Sequence, residues 1–186
     1  MISSTPSVSG RRDATPEVTV LSRLTYPEVA VTRDGPLPAG YRHLRYRTSL
    51  GSGVFDVAAD AVLAWRMHRA AGVRLTTSAP RAEVGVTLVS GLGVGPLRLN
   101  APSQVVWVVD DARRAGFGYG SLAGHPARGE EAFLVERDDD GQVWFSVTAF
   151  SRPAGWLMRG AGPAAVAVQH AYVRRCGAVL RRLCRQ

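Results

Sequence analysis

Lysine is absent from this sequence of 186 residues: all 23 of its basic residues are arginine. Fifteen acidic residues leave a formal net charge of +8. None of these acids follows residue 140, whereas seven arginines do. The excess of positive charge therefore belongs almost entirely to the C-terminal segment. Because no nucleic-acid-binding motif accompanies it, we do not expect nucleic acid as a partner.

Cysteine and long apolar runs are also scarce. The two cysteines, Cys176 and Cys184, lie eight residues apart on what we predict is one helix. Eight helical residues span about 12 Å, whereas disulfide-bonded Cα atoms lie roughly 4.4–6.8 Å apart. We therefore expect reduced thiols and a cytoplasmic location. The N-terminus does not have the order of a signal peptide, and no apolar run reaches the ~20 residues that span a bilayer, so we expect no membrane insertion.

The remaining composition is that of a globular protein, with 46% hydrophobic and 20% charged residues. Residues 1–20 consist largely of Ser, Thr, Pro and Arg and contain little apolar material. Such a segment buries too little surface to offset chain entropy. We predict a flexible N-terminal tail at 1–20 and a single α+β domain at 21–186.

Hydrophobic periodicity predicts one strand, a helix, six further strands and a long final helix. The strands are predicted at 41–50, 83–90, 95–100, 104–110, 115–119, 131–137 and 143–150, and the helices at 54–71 and 163–185. Because short links join the later strands, most of them must be antiparallel. The prediction is an antiparallel sheet of about seven strands with a shorter helix after the first strand and a long amphipathic helix at the C-terminus.

Most of the residues that could take part in binding or catalysis lie in residues 116–133. This stretch contains Gly118-Tyr119-Gly120, Gly124-His125-Pro126 and Gly129-Glu130-Glu131, and Ala149-Phe150-Ser151-Arg152-Pro153 follows later. These blocks resemble the family called domain of unknown function nineteen-ninety, and the resemblance extends over about residues 25–185. It supplies candidate positions without roles. The order of elements resembles the helix-grip arrangement of lipid-transfer proteins and polyketide cyclases, which implies a curved sheet wrapped around the last helix with a cavity between them.

His125 and the adjacent acids are candidates for acid–base chemistry. A histidine close to a carboxylate can exchange protons near neutral pH, but the same pair can simply fasten a loop. Adjacent strand residues point to opposite faces, so only one of Glu130 and Glu131 can look into a cavity. A third metal ligand is not evident nearby, and we predict neither a metal nor another cofactor.

The other candidates would bind a ligand. Gly118 and Gly120 around Tyr119 indicate either a bend or bulge or the close approach of another backbone or a ligand. Arg152 could hold a ligand carboxylate or form a structural bridge to one of the two glutamates. The predicted ligand-binding residues are Trp107, Tyr119, Ser121, His125, Ser151 and Arg152.

Three functions are compatible with this sequence. The first is binding of a small apolar or aromatic molecule, with or without an acidic group, between the sheet and the last helix. The second is an enzyme that uses the same cavity for cyclisation, hydration or hydrolysis, with His125, Glu130 and Glu131 as acid–base residues. The third is a protein-interaction module that uses the arginine-rich last helix, with Arg174, Arg181 and Arg185 exposed.

Overall fold

A seven-stranded antiparallel sheet dominates the computed structural model, which describes residues 24–94, 97–155 and 162–186. The elements in chain order are α1 (Val31–Asp34), β1 (Arg42–Ser52), α2 (Phe55–Leu63), α3 (Arg66–Ala70), β2 (Arg74–Thr77), β3 (Thr87–Val94), β4 (Leu97–Asp110), β5 (Arg114–Ser121), β6 (Ala127–Arg137), β7 (Gln142–Pro153) and α4 (Gly162–Leu183). The strand order across the sheet is β1-β7-β6-β5-β4-β3-β2. This confirms the predicted α+β architecture. The tail predicted at 1–20 lies outside the described residues.

Several predicted elements differ from the structure; the strand predicted at 83–90, for example, is observed as β3 at Thr87–Val94. The strands predicted at 95–100 and 104–110 form the single strand β4 within the described residues, and Pro102 between them pairs with Val89 of β3. The helix predicted at 54–71 is divided at Trp65, which has a left-handed φ of 63° and is completely buried. Strand β2 was not predicted, because its four residues are too few to show a clear alternation.

One face of the sheet is covered by helices, and we call it the inner face. Alternate residues of the central strands point to this face and include Phe117, Phe133 and Phe145, all fully buried. The Phe133 ring lies 5.8 Å from Phe117 and 6.4 Å from Phe145, centroid to centroid. The core is therefore an aromatic layer between the sheet and helices α2, α3 and α4.

Helix α4 packs on the sheet through its second half. Val173, Cys176 and Leu180 are fully buried, whereas no described side chain of α4 before residue 172 is buried. Val168, in the first half of the helix, is 62% exposed. The first turns of α4 thus leave apolar surface uncovered by the described residues.

The absence of a disulfide was predicted correctly, since Cys176 and Cys184 are both free thiols. None of the described helices has the length and hydropathy of a membrane-spanning segment.

Candidate functional site

Residues 24–34, which we call the strap and which include α1, lie across the outer face of the sheet, opposite helices α2, α3 and α4. The Thr25 N–H donates to the Ser121 carbonyl at 3.0 Å, and α1 packs against β6 and β7. The strap is thereby attached to strands that lie about 100 residues away in sequence.

Glu130 fastens the strap to the sheet. Only 2% of this residue is exposed, and its Oε2 accepts hydrogen bonds from Tyr26 Oη and Ala30 N, both at 2.8 Å. Its Oε1 accepts from Thr32 N at 3.1 Å, from the Thr32 hydroxyl and from Trp107 Nε1 at 3.3 Å. Burial and the neighbouring Glu130 raise the pKa of Tyr26 above its ordinary range. Groups of the protein itself therefore occupy both oxygens of Glu130.

The glycines around Tyr119 make room for this arrangement. A methyl group at Gly118 would overlap the indole nitrogen of Trp107, and one at Gly120 would overlap the Tyr26 hydroxyl. The structure shows protein side chains packed against both glycines, and it also shows a register irregularity of β4 between Val105 and Trp107, opposite Tyr119 and Gly118. The alternating glycines thus allow Trp107 and Tyr26 to approach β5 closely and reach Glu130.

Glu131 points the other way, towards the inner face. Its Oε2 accepts a hydrogen bond from the Tyr119 hydroxyl at 2.7 Å. Its Oε1 is shielded from solvent and makes no close hydrogen bond among the residues that the structure describes. Burial raises the pKa of this carboxyl group, while interactions with the Tyr119 and Gln169 side chains lower it in part. Burial and the Glu131 charge likewise raise the pKa of Tyr119.

Helix α4 adds uncharged groups to the same region. Gln169 lies beside the Glu131 carboxyl group, and burial raises the pKa of both Tyr172 and Cys176, that of the thiol to about 12. A thiol with such a pKa stays protonated at neutral pH and is a poor nucleophile. We define Tyr119, Glu131, Gln169, Tyr172 and Cys176 as the inner polar cluster.

His68 of α3 is a residue that the sequence analysis missed. It is 1% exposed, and its ring centroid lies 4.6 Å from that of Phe133 and 5.7 Å from that of Phe117. Within the described residues, neither ring nitrogen has a hydrogen-bond partner. Burial lowers the pKa of His68 to about 3, so the ring is neutral. Its spacing of three residues from the buried Trp65 was a helical signal for its inward orientation.

The structure does not join His125 to either glutamate by a hydrogen bond in the described part of the chain. The Ala127 N–H donates to its Nδ1 at 2.9 Å, and the Ala127 carbonyl oxygen lies 2.7 Å from the same nitrogen. Burial lowers the pKa of the ring. These contacts lie within the turn between β5 and β6.

The remaining predicted residues lie apart from the inner polar cluster. The Ser121 hydroxyl lies 2.7 Å from the Thr25 hydroxyl and accepts from the Gly129 N–H at 3.0 Å. Arg152 is exposed and places its guanidinium 4.9 Å from the centre of the Tyr41 ring; its predicted bridge to a glutamate is not among the ion pairs of the described residues. Ser151 is partly exposed. Arg174, Arg181 and Arg185 are exposed at the C-terminus.

Of the predicted site residues, the structure thus brings Tyr119 and Glu131 together on the inner face and Trp107 and Glu130 together on the outer face. The acid–base roles of His125, Glu130 and Glu131 stay predictions.

Known proteins match this chain in both sequence and fold. The family described as "Domain of unknown function (DUF1990)" matches residues 25–179. The UPF0548 protein of Deinococcus radiodurans is 35% identical over 168 residues, which cover 84% of this chain and 85% of that protein.

Two solved structures resemble the fold at low sequence identity. The ginseng major latex-like protein 151 from Panax ginseng has a TM-score of 0.53 and 11% identity, and the match covers 76% of this chain and 96% of that one. A Thalictrum norcoclaurine synthase point mutant has a TM-score of 0.56 and 8% identity, with coverage of 80% and 97%. At these identities the likeness shows the fold alone, which is the helix-grip fold. The chain belongs to the DUF1990 family, as the two sequence blocks predicted.

Proposed function

We propose that the protein binds a small, mainly apolar molecule between the inner face of the sheet and α4, with Glu131 and Tyr119 as polar contacts. The observation that carries this proposal is the Glu131 carboxyl group. One of its oxygens is held by Tyr119, and the other is shielded from solvent without a close hydrogen bond in the described residues, where Gln169 is the neighbouring polar group of α4. An unpaired buried acceptor costs about 1–3 kcal/mol of stability. A ligand that donates a hydrogen bond to Oε1 would remove that cost.

The surroundings of Glu131 favour an apolar body for the ligand. The Tyr119 ring lies 5.8 Å from Phe133 and 6.1 Å from Phe117, centroid to centroid. Sites for small molecules are typically lined by such rings with a few polar groups that fix orientation. The Thalictrum protein of the same fold was solved in complex with a transition-state analogue, which supports the idea that this fold accommodates a small molecule.

The polar end of the ligand should be a hydrogen-bond donor. Arg152, which we expected to hold an acidic group, is exposed beside Tyr41. The inner polar cluster instead offers a carboxyl group, and an ionised ligand acid would be repelled by it. We therefore infer a ligand with a hydroxyl or amine group rather than a carboxylate.

A fluorescence titration with N-phenyl-1-naphthylamine tests the proposal. This probe is apolar, neutral and carries one N–H donor. Wild-type protein should enhance its emission, and Glu131→Met should weaken binding by about tenfold, which corresponds to about 1.4 kcal/mol. Glu136→Met is the matched control, because Glu136 lies on the same strand beside Arg114, at 3.6 Å, and is partly exposed. No response from the wild type, or equal affinities for the wild type and Glu131→Met, would contradict the proposal.

A further inference from the structure

His68 is the most anomalous side chain among the described residues. Both of its ring nitrogens are buried and lack a hydrogen-bond partner there. Nearly all buried polar groups in proteins have such a partner, so an exception requires an explanation. Packing alone does not supply one, since the neighbours Trp65, Phe117 and Phe133 are all apolar rings that a phenylalanine would fill equally well.

His68 and the inner polar cluster share one aromatic partner. The Phe133 ring lies 4.6 Å from that of His68 and 5.8 Å from that of Tyr119. Tyr119 in turn donates to Glu131 at 2.7 Å. Two of the described groups with buried unpaired atoms, the His68 imidazole and the Glu131 carboxyl group, thus occur on the same face of the sheet in the neighbourhood of Phe133.

We propose that His68 and Glu131 contact the same ligand, which therefore carries a hydrogen-bonding group near each end of an apolar body. This inference rests on the proposed function and specifies its ligand class. At Glu131 the ligand must donate. At His68 it can donate or accept, because a neutral imidazole has one N–H and one acceptor nitrogen. A hydroxyl group serves at either end, so the class is a neutral, mainly apolar diol or amino alcohol.

Pairs of compounds that differ by one hydroxyl group provide the test. The diols are 1,5-dihydroxynaphthalene, 2,6-dihydroxynaphthalene and 4,4′-dihydroxybiphenyl, and their partners are 1-naphthol, 2-naphthol and 4-hydroxybiphenyl. The distance between the two hydroxyl groups differs among these three diols. Affinities are measured by isothermal titration calorimetry for the wild type, His68→Phe and Glu131→Met.

For at least one pair, the wild type should bind the diol about threefold to tenfold more tightly than the single alcohol, as one added hydrogen bond implies. In His68→Phe the ratio of the diol affinity to the single-alcohol affinity should fall to about one. The single alcohol should keep its wild-type affinity for this variant, and its binding should still depend on Glu131. His68→Leu serves as a second variant if the larger ring disturbs folding. A merely structural role for His68 would change the melting temperature of the variant and leave the ratio of the two affinities unchanged.

The outcomes separate this inference from the proposed function. If the wild type binds none of the six compounds, both are overturned. If the single alcohols bind with dependence on Glu131, but no diol binds more tightly or its advantage persists in His68→Phe and His68→Leu, only the role of His68 is overturned.

Discussion

Replacing Glu130 by glutamine should detach the strap and destabilise the whole protein. The buried carboxylate accepts hydrogen bonds from five donors, two of them the backbone N–H groups of Ala30 and Thr32. Glutamine keeps one acceptor oxygen and places an NH₂ group at the other position. If that oxygen stays with Thr32 and Trp107, the NH₂ group faces the Ala30 N–H at a donor-to-donor separation close to 2.8 Å.

The expected loss follows from these contacts. Hydrogen bonds to a charged group contribute about 1.5–3 kcal/mol each, and a buried donor without a partner costs about 1–3 kcal/mol. The Tyr26 hydroxyl can rotate and accept from the new NH₂ group, but the Ala30 N–H cannot. We therefore expect the free energy of unfolding to fall by about 3–5 kcal/mol, a large part of the 5–15 kcal/mol that is typical of a domain.

Urea unfolding monitored by circular dichroism measures this loss, and hydrogen exchange of the Ala30 and Thr32 amides locates it. Glu136→Gln is the matched control on the same strand. Its partly exposed pair with Arg114 should contribute no more than about 1 kcal/mol. If Glu130→Gln unfolds within about 1 kcal/mol of this control and both amides keep their protection, Glu130 does not fasten the strap.

Three further predictions concern packing, pH and thiol reactivity. Gly118→Ala should lower the free energy of unfolding in urea by about 1–3 kcal/mol, because the added methyl group overlaps Trp107. An unchanged free energy of unfolding would contradict the close packing of Trp107 on Gly118. Burial lowers the pKa of His68 from 6.5 to about 3, so between these pH values the unfolded chain binds the proton more readily. The unfolding free energy of wild type relative to His68→Phe should therefore fall on acidification by up to about 1.4 kcal/mol per pH unit, and parallel curves would contradict this. Cys184, partly exposed, should react with a thiol reagent in the native state, whereas the fully buried Cys176 should react only on unfolding; equal rates would exclude this.

The architecture could be predicted from the sequence because apolar and polar residues alternate along the strands. In β6, Glu131, Phe133 and Val135 share one face, and Glu130 lies on the other. Phe133 and Val135 are apolar, so the pattern already indicated that Glu131 faces the core, although the sequence analysis left the choice between the two glutamates open. The structure adds that Phe133 and Val135 are fully buried.

The contacts of Glu130 could not be predicted in the same way. Its partners Tyr26 and Thr32 precede it by about 100 residues, and no local periodicity links positions that far apart. The break between α2 and α3 was missed for a different reason. Helical spacing continues across Trp65, whereas the left-handed conformation there accompanies tertiary contacts that local spacing does not contain, among them the indole N–H, which donates to the Ala79 carbonyl at 3.2 Å.

Native mass spectrometry tests the central proposal of ligand binding most directly. The protein would be purified from the cells that naturally produce it and compared before and after denaturation, together with Glu131→Met expressed in the same cells. We expect the native wild type to carry an added small-molecule mass that disappears on denaturation, and the native Glu131→Met protein to carry much less of it. A native wild-type protein at the mass of the bare chain, or equal occupancy of both proteins, would contradict a ligand site at Glu131.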